Sequence, residues 1–174
     1  MNGINRRTFA LSALAILAAC GKPQQPRSKF LVYNGPAITQ VTVNKGQRRM
    51  HLFSGNQVVK SYNVSLGNVP VGHKQFEGDG KTPEGVYIID RFNPRSRYHL
   101  SVGVSYPNPH DRAFAAAHGR SPGGDIFIHG RGPEGNNLFP KQRDWTAGCI
   151  AVTDGEIEEV YSMLRPGVPI VITA

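Results

Sequence analysis

The chain has 174 residues but only two cysteines, Cys20 and Cys149, and one tryptophan, Trp145. Two cysteines cannot build an all-cysteine zinc site or a dense disulfide scaffold. The six histidines also give no metal site, because His51, His73, His99 and His110 lack ligand-like spacing. No long apolar run exists. The longest N-terminal stretch, Thr8 to Ala19, is 12 residues, far short of the ~20 that span a bilayer. Charged residues make up only 18% against 39% apolar, which excludes a disordered chain. No basic stripe carries interleaved aromatics, so nucleic acid is not an expected partner. What the chain has in quantity is turn formers, 20 Gly and 13 Pro. These favour many short strands over a helical bundle.

The N-terminus reads as an export signal over residues 1–19. Arg6 and Arg7 form its positive region. The apolar stretch ends Leu17-Ala18-Ala19-Cys20-Gly21. That ending resembles a bacterial lipobox, which makes Cys20 the lipidated first residue of the mature chain. A lipid anchor needs two or more acyl chains to be stable, at ~0.8 kcal/mol per buried CH2. Arg6-Arg7-Thr8-Phe9 also resembles a twin-arginine signal. Either route leads to the cell envelope, as a lipoprotein facing the periplasm. Gly21, second in the mature chain, favours the outer membrane. Cleavage before Cys20 lowers the net charge of +8 by two. The balance stays basic and suits an anionic wall. Residues 20–29, with two prolines and no large apolar side chain, read as the lipidated Cys plus a tether. Residues 30–174 show no repeat or composition break, and are read as one domain and a monomer.

Within that domain the pattern is mainly β with one or two short helices. Ile38–Asn44, Arg49–Phe53 and Gln57–Leu66 alternate with period two and are separated by turns. A Gly-rich loop, Gly67–Gly80, follows. Val86–Phe92, Tyr98–Ser105, Asp125–His129, Ile150–Val152 and Pro169–Thr173 are further strands. Asp111–His118 is a short Ala-rich helix closed by Gly119. A second helix opens on a capping box of Thr153 and Glu156. Ile157, Val160, Tyr161 and Leu164 give it one apolar face.

Cys149 has small residues before it and an apolar strand after it. Ala147 and Gly148 leave room for a ligand to approach the sulfur, and Gly permits an unusual backbone turn. His129 stands at the end of another apolar strand. A thiol of pKa ~8.5 is only slightly ionised at neutral pH. An adjacent imidazole can take its proton or stabilise the thiolate. The N–H groups of Gly148 and Cys149 are candidate oxyanion donors, one such donor being worth roughly 3–4 kcal/mol. Arg131, Lys141 and Arg143 lie between His129 and Cys149 and can take a substrate carboxylate. Trp145 is a candidate wall of the cleft.

His129, sixteen intervening residues, then Thr146-Ala147-Gly148-Cys149-Ile150 resembles the signature of the L,D-transpeptidase catalytic domain, the YkuD family. The resemblance runs over most of Ile38 to Thr173 and includes the Thr82-Pro83-x-Gly85 turn before a strand. It implies a YkuD-like β-sandwich, a cysteine nucleophile and peptidoglycan stem peptides as substrate. By that resemblance Cys149 is the nucleophile and His129 its base. Gly130 turns its carbonyl to the imidazole, while Thr146, Ala147 and Gly148 shape the nucleophile loop. Arg131, Arg143 and Trp145 are then substrate contacts, with no metal or cofactor required. Two positions depart from the family: Ala147, where many members have His, and Ala151, where many have Arg or Asn. They point to a Thr-x-Gly-Cys sub-branch and keep hydrolysis, and a non-catalytic wall-binding module, as alternatives to transfer.

Overall fold

Period-two alternation builds the first strands because one face of each is buried. A computed structural model describes residues 27–174. In it β1 (Gln40–Asn44) buries Val41 and Val43, and β2 (Arg49–Ser54) buries Met50 and Leu52. Strand β3 (Gln57–Asn63) buries Tyr62. These three pair antiparallel as the expected meander. The export signal, its arginines and Cys20 lie outside the described residues. Of the tether, Arg27 bonds Glu158 and Lys29 bonds the carbonyls of Pro94 and His99.

Five more strands follow: β4 (Gly85–Asn93), β5 (Ser101–Val104), β6 (Phe127–His129), β7 (Ile150–Ala151) and β8 (Pro169–Thr173). The sheet order is β3-β2-β1-β8-β4-β5-β6-β7. Strand β8 enters between β1, parallel, and β4, antiparallel. Strands β6 and β7 are also parallel. A register shift between Ile89 and Phe92 bends β4 where it passes from β8 to β5. The sheet therefore curls, and the chain just past β3 meets β7 at the far end of the order. Ser65 and Ala151 exchange two backbone hydrogen bonds of 2.8 Å. This crossing is why β3 ends at Asn63 instead of running to Leu66.

The core is a continuous apolar cluster that includes Leu52, Ile89, Val102, Ile128, Ile150, Ile170 and Ile172. Helix α3 (Asp154–Met163) closes it by burying Ile157, Val160 and Met163 against β5 and β6. Its capping box of Thr153 and Glu156 is formed as expected. Helix α1 (Pro109–Ala117) is capped by Asn108 and Asp111. A third helix, α2 (Gly132–Leu138), occupies a stretch that composition marks as loop. Its sequence, GPEGNNL, has low helix propensity. Tertiary contact provides the reason: a Cβ on Gly135 would lie 2.5 Å from the Trp145 ring. The bare backbone of α2 packs directly on that indole.

The Gly-rich loop before β4 is held by charge. The Asp79 carboxylate accepts from the N–H groups of Gln75, Phe76 and Lys81 at 2.7, 3.0 and 3.1 Å, and from Lys74 Nζ at 2.9 Å. Lys74 is only 3% exposed. Burial alone raises the Asp79 pKa, but these donors outweigh it and hold the carboxyl below its usual value. A depressed carboxyl stabilises the fold above its unfolded pKa of ~3.9 and loses that contribution as pH falls through the lower folded value. Asp79→Asn leaves Lys74 buried without its counter-charge and lowers stability by about 3 kcal/mol at neutral pH. It also removes part of the acid sensitivity of the wild type. Urea unfolding of the full chain at pH 7 and pH 3 checks both outcomes.

Candidate active site

The loop carrying Cys149 is shaped by its own threonine. Thr146 Oγ1 donates to the Cys149 carbonyl at 2.8 Å and accepts from the Gly148 N–H at 3.1 Å. Between them the chain turns at Gly148, whose φ is +137°. A Cβ there would stand 2.7 Å from the Lys81 carbonyl oxygen, so both conformation and space require glycine. The Gly148 N–H is thus engaged inside its own loop. Its expected part as an oxyanion donor is not available in this resting arrangement. Ala147 is exposed at the loop tip.

His129 ends β6 and is 3% exposed. Its Nδ1 lies 2.6 Å from the Gly130 carbonyl oxygen. A carbonyl only accepts, so Nδ1 carries the hydrogen and Nε2 keeps the basic lone pair. The ring is fixed from two sides. Tyr98 stacks on it at 4.5 Å between centroids, and Trp145 meets it edge-on at 5.7 Å. Tyr98 is itself anchored, its hydroxyl donating to Glu134 Oε2 at 3.1 Å while Arg97 pairs with the same oxygen at 2.6 Å. Helix α2 thereby supplies both Glu134 and the surface against which Trp145 rests.

Cys149 and His129 line one cleft of about 580 Å³, with Asn93, Arg97, Tyr98, Asp125 and Phe127. A second depression of about 330 Å³ shares Cys149 and Asp125 with it, and is lined by Lys74, Glu77, Gly123 and Ala147. The thiol thus sits where two hollows meet. The sequence-selected residues divide sharply. Cys149, His129, Gly130, Thr146, Ala147 and Gly148 come together. Trp145 does not line the cleft: it is buried behind the imidazole, because a large ring gains more from packing than from exposure. Arg131 and Arg143 do not line it either; they flank α2, one before and one after it, and line a separate hollow. Lys141 is exposed and lines neither. Tyr98, Glu134 and Asp125 had no such sequence signal. Asp125 adopts φ +54° after two glycines, which turns its carbonyl to accept from Cys149 Sγ at 3.4 Å.

The electrostatics favour a neutral pair. Burial pushes the Cys149 thiol up to about 11, against a downward pull from the Phe127 N–H. Burial also lowers the His129 pKa below its ordinary value, against the opposing Gly130 bond and the charges of Asp154 and Glu134. Imidazole is then neutral at physiological pH and thiol is protonated. The neutral imidazole keeps a lone pair on Nε2 that can accept a proton. Among the described residues no group of three His, Cys, Asp or Glu side chains is arranged to hold a metal ion.

The profile of the YkuD L,D-transpeptidase catalytic domain matches residues 38–172. The chain belongs to the YkuD family. YafK of Escherichia coli K12 is 32% identical over 146 residues, covering 82% of this chain and 52% of YafK. Solved structures share the YkuD fold. The helical cell shape determining protein Pgp2 of Campylobacter jejuni superposes with a TM-score of 0.60 at 26% identity, over 83% of this chain and 50% of Pgp2. An L,D-transpeptidase from Mycobacterium smegmatis gives 0.53 at 16% identity, over 79% and 59%. The chain spans about half the length of the curated relatives it matches.

A neutral pair has a measurable signature in this YkuD domain. Thiolate fraction rises as pH approaches a pKa of about 11 and is small at neutrality. Iodoacetamide alkylation of Cys149 in the full chain therefore climbs steadily from pH 7 to pH 10 with no plateau. A rate already level at pH 6, the mark of a preformed thiolate–imidazolium pair, contradicts this arrangement.

Proposed function

We propose that the protein is a peptidoglycan-modifying cysteine acyltransferase, with hydrolysis of the same acyl-enzyme as the alternative. The observation that carries the reading is the 2.6 Å Nδ1–carbonyl contact that leaves His129 Nε2 basic in the cleft shared with Cys149. In the proposed reaction Cys149 Sγ adds to the carbonyl of a stem-peptide bond as its proton passes to His129 Nε2. The tetrahedral intermediate collapses to a thioester. The departing amine, that of a terminal D-Ala, takes the proton from His129. An amine of a second stem then attacks the thioester and gives its proton to the imidazole, and the thiolate leaves and is reprotonated.

Transfer is preferred over hydrolysis for a geometric reason. Two hollows converge on one sulfur, which suits a donor and an acceptor peptide seated together. Water needs no second hollow. Support also comes from family membership and from the named relatives, Pgp2 being described as determining helical cell shape. Incubation of the full chain with tetrapeptide muropeptides, followed by mass spectrometry, tests the reading. The wild type forms an acyl adduct on Cys149 and crosslinked dimers, and Cys149→Ala forms neither. Shortened stems without dimers would assign hydrolysis. A wild type with no adduct and no product would assign a wall-binding module instead.

The proposal extends to location: a lipoprotein of the cell envelope, facing the periplasm, exported by the residue 1–19 signal and anchored through Cys20. Labelled palmitate is then incorporated by the wild-type chain in cells and not by Cys20→Ala. Equal labelling of both would remove the anchor.

A further inference from the structure

Arg131 and Arg143 line a depression of about 270 Å³, together with Asn63, Ser65, Phe139 and Ala151. Among the described residues neither guanidinium pairs with a carboxylate. The acids that flank them in sequence are engaged elsewhere. Glu134 binds Arg97 and Tyr98, and Asp144 binds Arg48 and the Leu66 N–H. The Arg131 guanidinium lies over the Phe139 ring at 3.6 Å. Stacking fixes its plane and leaves its edge donors open. A further guanidinium, Arg49, is tied to Asn63 Oδ1 at 2.8 Å. Ser65 also lines the hollow, with its backbone taken by Ala151. Two guanidiniums without a carboxylate partner around one small hollow present charged donors to an anionic ligand.

We propose that this depression binds the free carboxylate of a peptidoglycan stem peptide, at a site distinct from the catalytic cleft. The inference rests on the proposed acyltransferase reading and adds the group by which the substrate is held. Planar guanidinium matches carboxylate in fork geometry, and charge-assisted bonds are the stronger class. Reach agrees as well. Ala151, in the wall of the hollow, follows Cys149 by two residues, at most about 7 Å of backbone. In the proposed binding mode, a peptide whose reacting carbonyl is at Cys149 crosses Ala151 and lays a neighbouring carboxylate in the hollow. The site orients the substrate and takes no part in bond making.

The test uses the full chain carrying Cys149→Ala, so that binding is read without turnover. The probes are a disaccharide–tetrapeptide muropeptide, the same compound with its carboxyls amidated, and inorganic phosphate. Arg131→Gln and Arg143→Gln each weaken muropeptide binding at least about tenfold. Amidation weakens binding to the parent by a similar factor, and Arg143→Gln then adds no further loss. Arg143→Lys restores part of the affinity, since charge is kept and the fork is lost. Arg143 is exposed, so its variants keep the thermal midpoint of the parent. Equal affinity for all variants and both muropeptides overturns the proposal. So does phosphate that binds the hollow and is not displaced by muropeptide, which would mark a phosphate site of another kind. Thioester formation in the Cys149-intact chain reads the catalytic proposal separately. If that adduct forms with the same KM in the arginine variants, the carboxylate site fails while the catalytic reading stands.

Discussion

Asp144 ties the Cys149 loop to the opposite end of the sheet. Its carboxylate accepts from Arg48 Nη2 at 2.9 Å and from the Leu66 N–H at 3.0 Å. Arg48 belongs to the turn between β1 and β2, and Leu66 to the crossing after β3. From this anchor the two stretches run side by side. Thr146 N–H donates to the Leu66 carbonyl at 3.1 Å, and the Asn68 N–H donates to the Thr146 carbonyl at 2.9 Å. The Ser65–Ala151 pair closes the arrangement beyond Cys149. The thiol is thus carried by a loop fixed on both sides by backbone bonds, instead of by a free surface turn. Productive geometry tolerates little error, since a displacement of about 1 Å can reduce a rate 10²-fold. The curled sheet matters to the chemistry for this reason: without the crossing, residues 144–149 have nothing to rest on.

The histidine is fixed by a different set of contacts. Its tautomer comes from the Gly130 carbonyl, and its plane from Tyr98 and Trp145. Both aromatics depend on α2, Tyr98 through Glu134 and Trp145 through the Cβ-free surface of Gly135. A short helix of poor intrinsic propensity therefore orients the His129 ring through Tyr98 and Trp145. The packing that holds α2 in place is also what removes water from the imidazole and lowers its pKa.

Local signals in the chain were readable where the physics is local. Strand β8 follows the residue pattern at Pro169–Thr173, and the Thr153–Glu156 box opens α3 as written. Cys149, His129 and Gly130 were readable because small residues and a His-Gly pair flank strand ends, and because that combination matches a family signature. The remainder depends on contacts between distant segments. Nothing in Gln40–Asn44 or Pro169–Thr173 announces that they pair in parallel. Helix α2 is hidden because its stability comes from Trp145 rather than from its own residues. Trp145 itself goes to the core for the same reason. Arg131 and Arg143 lie near Cys149 in sequence, but the fold places them in a separate hollow. Tyr98 gave no signal, since its part comes from a ring seated thirty-one residues later in the chain.

The neutral resting state of Cys149 and His129 bears on where the proposed enzyme can work. A cysteine is oxidised and cross-linked mainly as its thiolate. In the oxidising envelope location proposed above, a standing thiolate at Cys149 would be exposed to disulfide formation and sulfenic acid whenever substrate is absent. Burial keeps the proton on sulfur, and the bond from Sγ to the Asp125 carbonyl holds the thiol as a donor. In the proposed reaction, deprotonation is then coupled to attack, with His129 taking the proton as the S–C bond forms. That coupling asks more of substrate positioning than a preformed ion pair does, because the nucleophile exists only when a carbonyl is in place. A recognition site away from the sulfur, able to seat the peptide before any charge develops, meets that requirement, and the carboxylate site proposed at Arg131 and Arg143 is of that kind.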